Sequence, residues 1–133
     1  MSMSDPEWDR ISKRVRESYS NACILWIDRV PAQGKFESAA ELFHGTHVKN
    51  IDTILLEGFD VSKNLRSAYG KGTYFSSTAK YSMNYTSGGS VVYMFLCDVD
   101  LTRCTNHANI YVMPHNDGAI PRYVIAFHKD AKN

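Results

Sequence analysis

Between Glu41 and Tyr85 the chain concentrates residue types that hold a ligand rather than fill a core. His44-Gly45-Thr46 follows the short apolar pair Leu42-Phe43. Gly70-Lys71-Gly72-Thr73-Tyr74-Phe75 comes next, and Tyr81, Ser82 and Tyr85 close the stretch at helical spacing. An imidazole or hydroxyl can donate or accept a hydrogen bond, glycine lets a ligand approach the backbone, and a tyrosine face attracts a cation. At this density the set points to a pocket. Taken one at a time, the same residues also have structural readings. Tyr74 and Tyr85 would serve as core aromatics, His44 as a buried structural histidine and Ser82 as a hydroxyl on a helix face.

Other chemistries fit less well. Cys97, Cys104 and His107 are spaced C-x6-C-x2-H, which matches none of the common zinc patterns, so no metal is expected. Cys97 also sits in the most apolar segment, where a cysteine behaves as a small hydrophobe. Gly70-Lys71-Gly72-Thr73 lacks the spacing of a phosphate loop and precedes a strand instead of following one, so it reads as a tight turn or a close backbone approach. Only Cys104 lies near a histidine, His107, which is a weak signal for a cysteine nucleophile. His47, His115 and His128, each alone, read as surface or structural residues.

Local patterns supply the elements that must position the pocket. Ser4 as cap, Pro6 in the first turn and Trp8, Ile11, Val15 and Tyr19 at helical spacing predict an amphipathic helix over residues 5–20. Residues 22–30 are apolar and β-branched enough for a strand that Pro31–Gly34 ends. Leu42-Phe43 leads a short strand into His44. Thr46 is the expected cap of a helix bearing Val48, Ile51, Ile54 and Leu55, and Gly58 is its stop. Residues 60–69 lack periodicity and read as a surface loop, a usual place for a binding lid. Residues 73–76 form a strand, and Ser76 or Ser77 caps a helix carrying Tyr81, Ser82 and Tyr85. Residues 91–99 read as a central strand, 101–109 as irregular, 110–113 as a strand, 114–121 as a loop and 122–128 as a final strand. About six strands of mixed direction and three helices make an α+β fold.

Length and charge narrow the function. A chain of 133 residues is expected to form one domain, residues 1–133, burying roughly 65–70% of its unfolded surface. Fifteen basic and fourteen acidic side chains leave a net charge of +1, which is no electrostatic footprint for nucleic acid. Three cysteines exclude a complete disulfide framework and favour a reducing compartment. With no apolar run of membrane length and a polar beginning, an intracellular location without membrane contact is expected. No long amphipathic seam is present, so a monomer is expected.

On His44-Gly45-Thr46, residues 69–76, Ser82-Met83-Asn84-Tyr85, residues 110–113 and residues 121–127, the sequence resembles the poly(ADP-ribose) polymerase-type, diphtheria-toxin-like ADP-ribosyltransferases. The similar motifs occur in the family's order across residues 41–128. The resemblance implies an ADP-ribosyltransferase fold, with mostly antiparallel sheets and a few flanking helices around a cleft for NAD, and no metal. It also implies a catalytic triad of His44, Tyr74 and Ile110. NAD would be held by His44, Gly45, Thr46, Tyr74, Phe75, Ser82 and Tyr85, with Gly45 and Ser82 on the nicotinamide carboxamide and Tyr85 stacked on the pyridinium.

Ile110 departs from the family pattern. A glutamate at that place supports chain elongation, and isoleucine neither accepts a proton nor a hydrogen bond. The resemblance therefore implies transfer of a single ADP-ribose to a protein acceptor, the protein itself included. A nucleic-acid end phosphate is an unsupported second acceptor class. Two rivals remain: an NAD glycohydrolase in which water is the acceptor, and a non-catalytic binder of NAD or ADP-ribose.

Overall fold

In the computed structural model, which describes residues 1–63 and 68–129, the chain opens with helix α1, Pro6–Arg16. Asp5, not Ser4, is the cap. Its carboxylate accepts the Glu7 N–H at 2.9 Å, while Pro6 needs no donor partner in the first turn. The helix ends four residues before the expected position. Tyr19 keeps the apolar phase, but its N–H bonds back to Val15 in the turn that follows. Ile11 and Val15 are fully buried.

Among the described residues seven strands follow: β1 Cys23–Arg29, β2 Ala39–Gly45, β3 Thr73–Ser76, β4 Val91–Asp100, β5 Thr105–His107, β6 Ile110–Met113 and β7 Ala119–His128. They form one sheet in the order β1-β7-β4-β2-β3-β6-β5, with every ladder antiparallel. The fold is α+β, consistent with the expected class. The expected mixture of directions is corrected. β3 and β4 run the same way and are joined through a helix, but β2 lies between them, so among the described residues they form no parallel ladder.

Two strand boundaries also differ. The polar segment expected to be irregular contains β5, an exposed edge strand. It turns into β6 through Ala108, whose φ of 61° is left-handed. β7 begins at Ala119 because a register shift opposite Leu96 and Cys97 admits Pro121, which has no N–H to give a regular ladder. At that bulge Arg122 bonds Asp98 at 2.8 Å and the carbonyls of Ala32 and Gly34.

The sheet buries both faces. Phe43, Val92, Met94, Leu96, Ile125 and Phe127 pack with Ile11 and Val15 of α1. On the other face, Leu42, Phe75, Phe95, Cys97 and Val99 pack with Ile51, Ile54 and Phe59. Helix α2, Ile51–Glu57, covers this second face and ends at Gly58, whose φ of 77° suits a stop that side-chain residues rarely adopt. Its approach differs from expectation. His47, not Thr46, caps a 3-10 turn, Val48–Asn50, by accepting the Lys49 N–H on Nδ1 at 3.0 Å. Helix α3, Ala79–Met83, is shorter than expected and is capped by Thr78 rather than Ser76 or Ser77.

Candidate active site

The site arises where the sheet comes apart. β2 and β3 share one paired position, Phe43 with Ser76. Continuing that register would set Gly45 opposite Tyr74, but no such pair forms among the described residues. Instead the His44 ring spans the gap, its Nδ1 lying 2.8 Å from the Tyr74 carbonyl. A carbonyl only accepts, so Nδ1 carries the proton, and in the neutral ring Nε2 is left as an acceptor. Phe59 meets the ring edge-on at 5.0 Å and Phe75 lies at 5.4 Å. Burial among these groups lowers the His44 pKa from its ordinary value, against the smaller opposing effect of the Tyr74 bond.

Two adjoining cavities open at this split, about 410 and 370 Å3, and both are lined by His44 and Thr46. The larger lobe contains Gly45, Tyr74, Phe75, Tyr81, Ser82 and Tyr85, together with Tyr69 and Ser87. Every expected NAD-contacting residue therefore lines the cleft. Ile110 does not. It opens β6 opposite Ser76, is 8% exposed and is absent from the linings of both lobes.

Each wall of the larger lobe has a local cause. A Cβ on Gly45 would stand 2.0 Å from the Ser82 carbonyl oxygen, so only glycine lets the end of α3 settle onto β2. The Tyr74 hydroxyl accepts the Tyr69 N–H at 2.8 Å and donates to the Gly70 carbonyl at 2.7 Å. Tyr74 is thus a ring wall whose polar end fastens the preceding turn. Tyr69 in turn stacks on His107 of β5, centroids 4.3 Å apart. Tyr85 lies just beyond α3, not on it, but its N–H still bonds the Ser82 carbonyl at 3.1 Å. Its hydroxyl meets that of Tyr81 at 2.9 Å, and this bond is the main reason the Tyr81 pKa is pushed up to about 12. The Tyr85 ring is half exposed and lines the larger lobe.

The smaller lobe has little signal in the sequence. Lys49, Asn50, Thr53, Phe59, Asp60 and Lys63 come together there because α2 and the 3-10 turn Val61–Lys63 fold back beside β2. Thr46 links this lobe to the first, its hydroxyl accepting from Asn50 Nδ2 at 2.9 Å. The loop expected over residues 60–69 falls partly outside the described residues, at 64–67. Cys97 is fully buried and burial raises its thiol pKa well above the ordinary value, which removes it as a nucleophile.

A two-lobed cleft with an acceptor nitrogen at its waist, a glycine strand end and an exposed tyrosine face matches the resemblance seen in the sequence. Residues 13–117 match the Poly(ADP-ribose) polymerase catalytic domain. The chain belongs to this family. As a PARP catalytic domain it has NAD as its implied substrate.

Among similar proteins is the protein mono-ADP-ribosyltransferase PARP14 of Homo sapiens, 29% identical over 102 residues. That match covers 62% of this chain and 6% of the relative. A probable poly [ADP-ribose] polymerase of Dictyostelium discoideum is 33% identical over 100 residues, covering 69% of this chain and 26% of the relative. The protein mono-ADP-ribosyltransferase PARP3 of Mus musculus is 35% identical over 79 residues, covering 56% and 15%. The chain thus spans about a quarter or less of the length of these relatives.

The PARP cleft fits a dinucleotide in its donor chemistry. The larger lobe offers a tyrosine face and backbone at Gly45 for a cationic amide-bearing ring. The smaller lobe carries the cations Lys49 and Lys63 together with the Asp60 carboxylate, and Asn50 and Thr53 as hydrogen-bonding partners.

Proposed function

We propose that this domain transfers one ADP-ribose unit from NAD to a protein acceptor and releases nicotinamide. The supporting observation is the composition of the larger lobe. It gathers Gly45, Tyr74, Ser82 and Tyr85 beside His44, and among the described residues no aspartate or glutamate lines it. Nicotinamide would lie against Tyr85, with its carboxamide at Gly45 and Ser82. His44, through Nε2, would accept a hydroxyl of the adenosine ribose at the waist, with the diphosphate on the nicotinamide side of it and the adenine beyond.

In the reaction the bond from the ribose anomeric carbon to the ring nitrogen breaks, and its electron pair neutralises the pyridinium. The acceptor nucleophile bonds to the same carbon, and its proton leaves to solvent. The site's contribution is to hold the leaving group and the charged ring in place as positive charge moves onto the sugar. Extending a chain would need a hydrogen-bond acceptor on a ribose hydroxyl near the reacting carbon. No aspartate or glutamate among the described residues lining the larger lobe supplies one, and Ile110, which the resemblance puts in the third position, supplies none either, which favours a single transfer.

Mass spectrometry after incubation with NAD tests the proposal. One added ADP-ribose unit on this protein or on a lysate protein is expected. Rapid release of free ADP-ribose without an acceptor would assign the site to NAD hydrolysis instead. Nicotinamide-dependent stabilisation with no product from labelled NAD would leave a binding domain.

A further inference from the structure

The single rung between β2 and β3 joins two parts of the sheet. On one side β2 is paired with β4 along its whole length, within β1-β7-β4-β2. On the other, β3 is paired with β6 along its whole length, within β3-β6-β5. Among the described residues, Phe43 and Ser76 are the one pair connecting these parts. A single rung fixes how far apart the strands stand but leaves the angle between them free.

Side chains hold that angle on both sides of the rung. Toward the cleft, the His44 ring reaches the Tyr74 carbonyl at 2.8 Å. In the other direction along the strands stands Arg14 of α1, which lines neither lobe of the cleft. Its Nη2 donates to the Glu41 carbonyl of β2 at 2.8 Å, and its Nη1 to the Ser77 carbonyl, just after β3, at 3.0 Å. The guanidinium carbon lies 4.9 Å from the centre of the Phe43 ring, over the rung itself. The Glu41 carboxylate, 3.8 Å from Arg14 Nε, holds the charge in place. A guanidinium is a rigid planar fork, so binding one carbonyl with each arm fixes the distance between the two. Its base is fixed as well, because Ile11 and Val15 anchor α1 in the core.

Resting on the placement of the adenosine ribose at His44, we propose that Arg14 is a positioning residue for that histidine. By setting the spacing of Glu41 and Ser77 on one side of the rung, it keeps the Tyr74 carbonyl within reach of His44 Nδ1 on the other. Nε2 then faces the cleft in one orientation before a ligand arrives. Arg14 thus contributes to affinity for the ADP-ribose part of NAD while touching no ligand. The nicotinamide end depends on it less. Gly45 lies on β2, and Ser82 bonds the Phe43 carbonyl and the Ser76 hydroxyl, both at the pivot, so neither follows a swing of β3.

ADP-ribose and nicotinamide, titrated separately into the full chain by calorimetry, provide the test. Arg14→Met keeps an apolar stem over Phe43 and has no donor. It should bind ADP-ribose roughly five- to tenfold more weakly than wild type, and nicotinamide within about twofold of it. Arg14→Lys keeps the charge without the fork and should also lose ADP-ribose several-fold. The proton on His44 Nδ1, protected by its bond to Tyr74, should give an NMR signal in wild type that both variants lose to solvent exchange. Ile11→Val loosens the same helix from within the core and is the control. It should keep both the ADP-ribose affinity and the ring-proton signal.

Wild-type affinity for ADP-ribose in Arg14→Lys, an equal loss of both ligands, or an Nδ1 proton that neither variant disturbs would overturn the inference. So would losses in Ile11→Val that match those in Arg14→Met. Failure of ADP-ribose to bind folded wild type would overturn the ribose placement instead, and the Nδ1 proton would then decide the role of Arg14 by itself. Should Arg14→Met lose its melting transition, Arg14→Lys carries the test with the same readings.

Discussion

The His44 ring donates from Nδ1 to the Tyr74 carbonyl at 2.8 Å, taking the place of a backbone rung where β2 and β3 separate. The strands would otherwise leave that carbonyl unpaired, and the ring satisfies it while turning Nε2 outward as an acceptor. One side chain thus closes the sheet's account of hydrogen bonds and opens the cleft's. Loss of the ring should affect both. His44→Ala should lower stability by about 1–3 kcal/mol and weaken NAD binding at least tenfold. Urea unfolding and calorimetry would check the two effects separately.

The same burial fixes a pH dependence. His44 has a folded pKa below its ordinary value of 6.5, so below that value the unfolded chain takes up a proton more readily than the folded one. The stability linked to the neutral ring is complete above about pH 6.5 and is lost as pH falls from there through the depressed folded value. NAD affinity should therefore hold at pH 6.5, where an exposed imidazole is already half charged. His44→Gln should flatten the part of the urea midpoint that falls between pH 7.5 and 5. An unchanged slope would contradict the assignment.

Much of this site was legible in the sequence because its residues are local to short motifs. Gly45 and Thr46 adjoin His44, and Ser82 and Tyr85 share one helical turn and its sequel, so spacing alone brings each group together. Residues 110–113 form β6 as expected and Gly58 ends α2, since periodicity and a glycine stop are strong local signals. The second lobe was not legible. Lys49, Phe59 and Lys63 have no common period and meet only when α2 folds back over the sheet. Ser76 has the pattern of a cap, yet its hydroxyl meets that of Ser82 beside the β2–β3 rung, a contact that no local pattern encodes.

Tyr74→Phe separates the ring wall from the turn it fastens. The phenyl group keeps its place, but the Tyr69 N–H and the Gly70 carbonyl lose their shared partner. The expected outcome is faster amide exchange at Tyr69 and a KM for NAD raised about three- to tenfold, with a smaller change in kcat. An equal fall in kcat would instead place the hydroxyl in the chemical step.

Gly45→Ala should be far more severe than its size suggests. The added methyl group meets the Ser82 carbonyl at 2.0 Å, and backbone on both sides must shift. A loss of about 1–3 kcal/mol and of nicotinamide binding is expected. Gly89→Ala is the control, since a Cβ there has nothing nearer than 3.6 Å and should leave binding intact.

Ile110→Glu should destabilise the domain before it changes the product. Position 110 is 8% exposed and faces the last β2–β3 rung across Ser76, so a carboxylate there is poorly solvated. Its pKa should rise above the unfolded value, which makes the loss grow as pH increases past about 4.3. A cost of about 2–4 kcal/mol at pH 8 and less at pH 4.5 is expected from urea unfolding. At neutral pH the folded fraction should still add single units, read by gel mobility and mass spectrometry. Elongated products would place the side chain within reach of a ribose hydroxyl, contrary to a position outside the cleft lining.

The β5–β6 turn gives the last prediction. Ala108 sits at φ 61°, where its Cβ crowds the following carbonyl, a cost of about 1–2 kcal/mol that glycine avoids. Glycine also has more freedom to lose on folding, by roughly 0.5–1 kcal/mol relative to alanine. The difference favours Ala108→Gly by about 0.5–1 kcal/mol, readable as a higher urea midpoint with an unchanged slope. The hairpin carries His107, which stacks on Tyr69 at the cleft mouth, so this variant should also leave NAD affinity at or slightly above wild type. A lower midpoint would mean that the turn's conformation is not the one that opposes the alanine side chain.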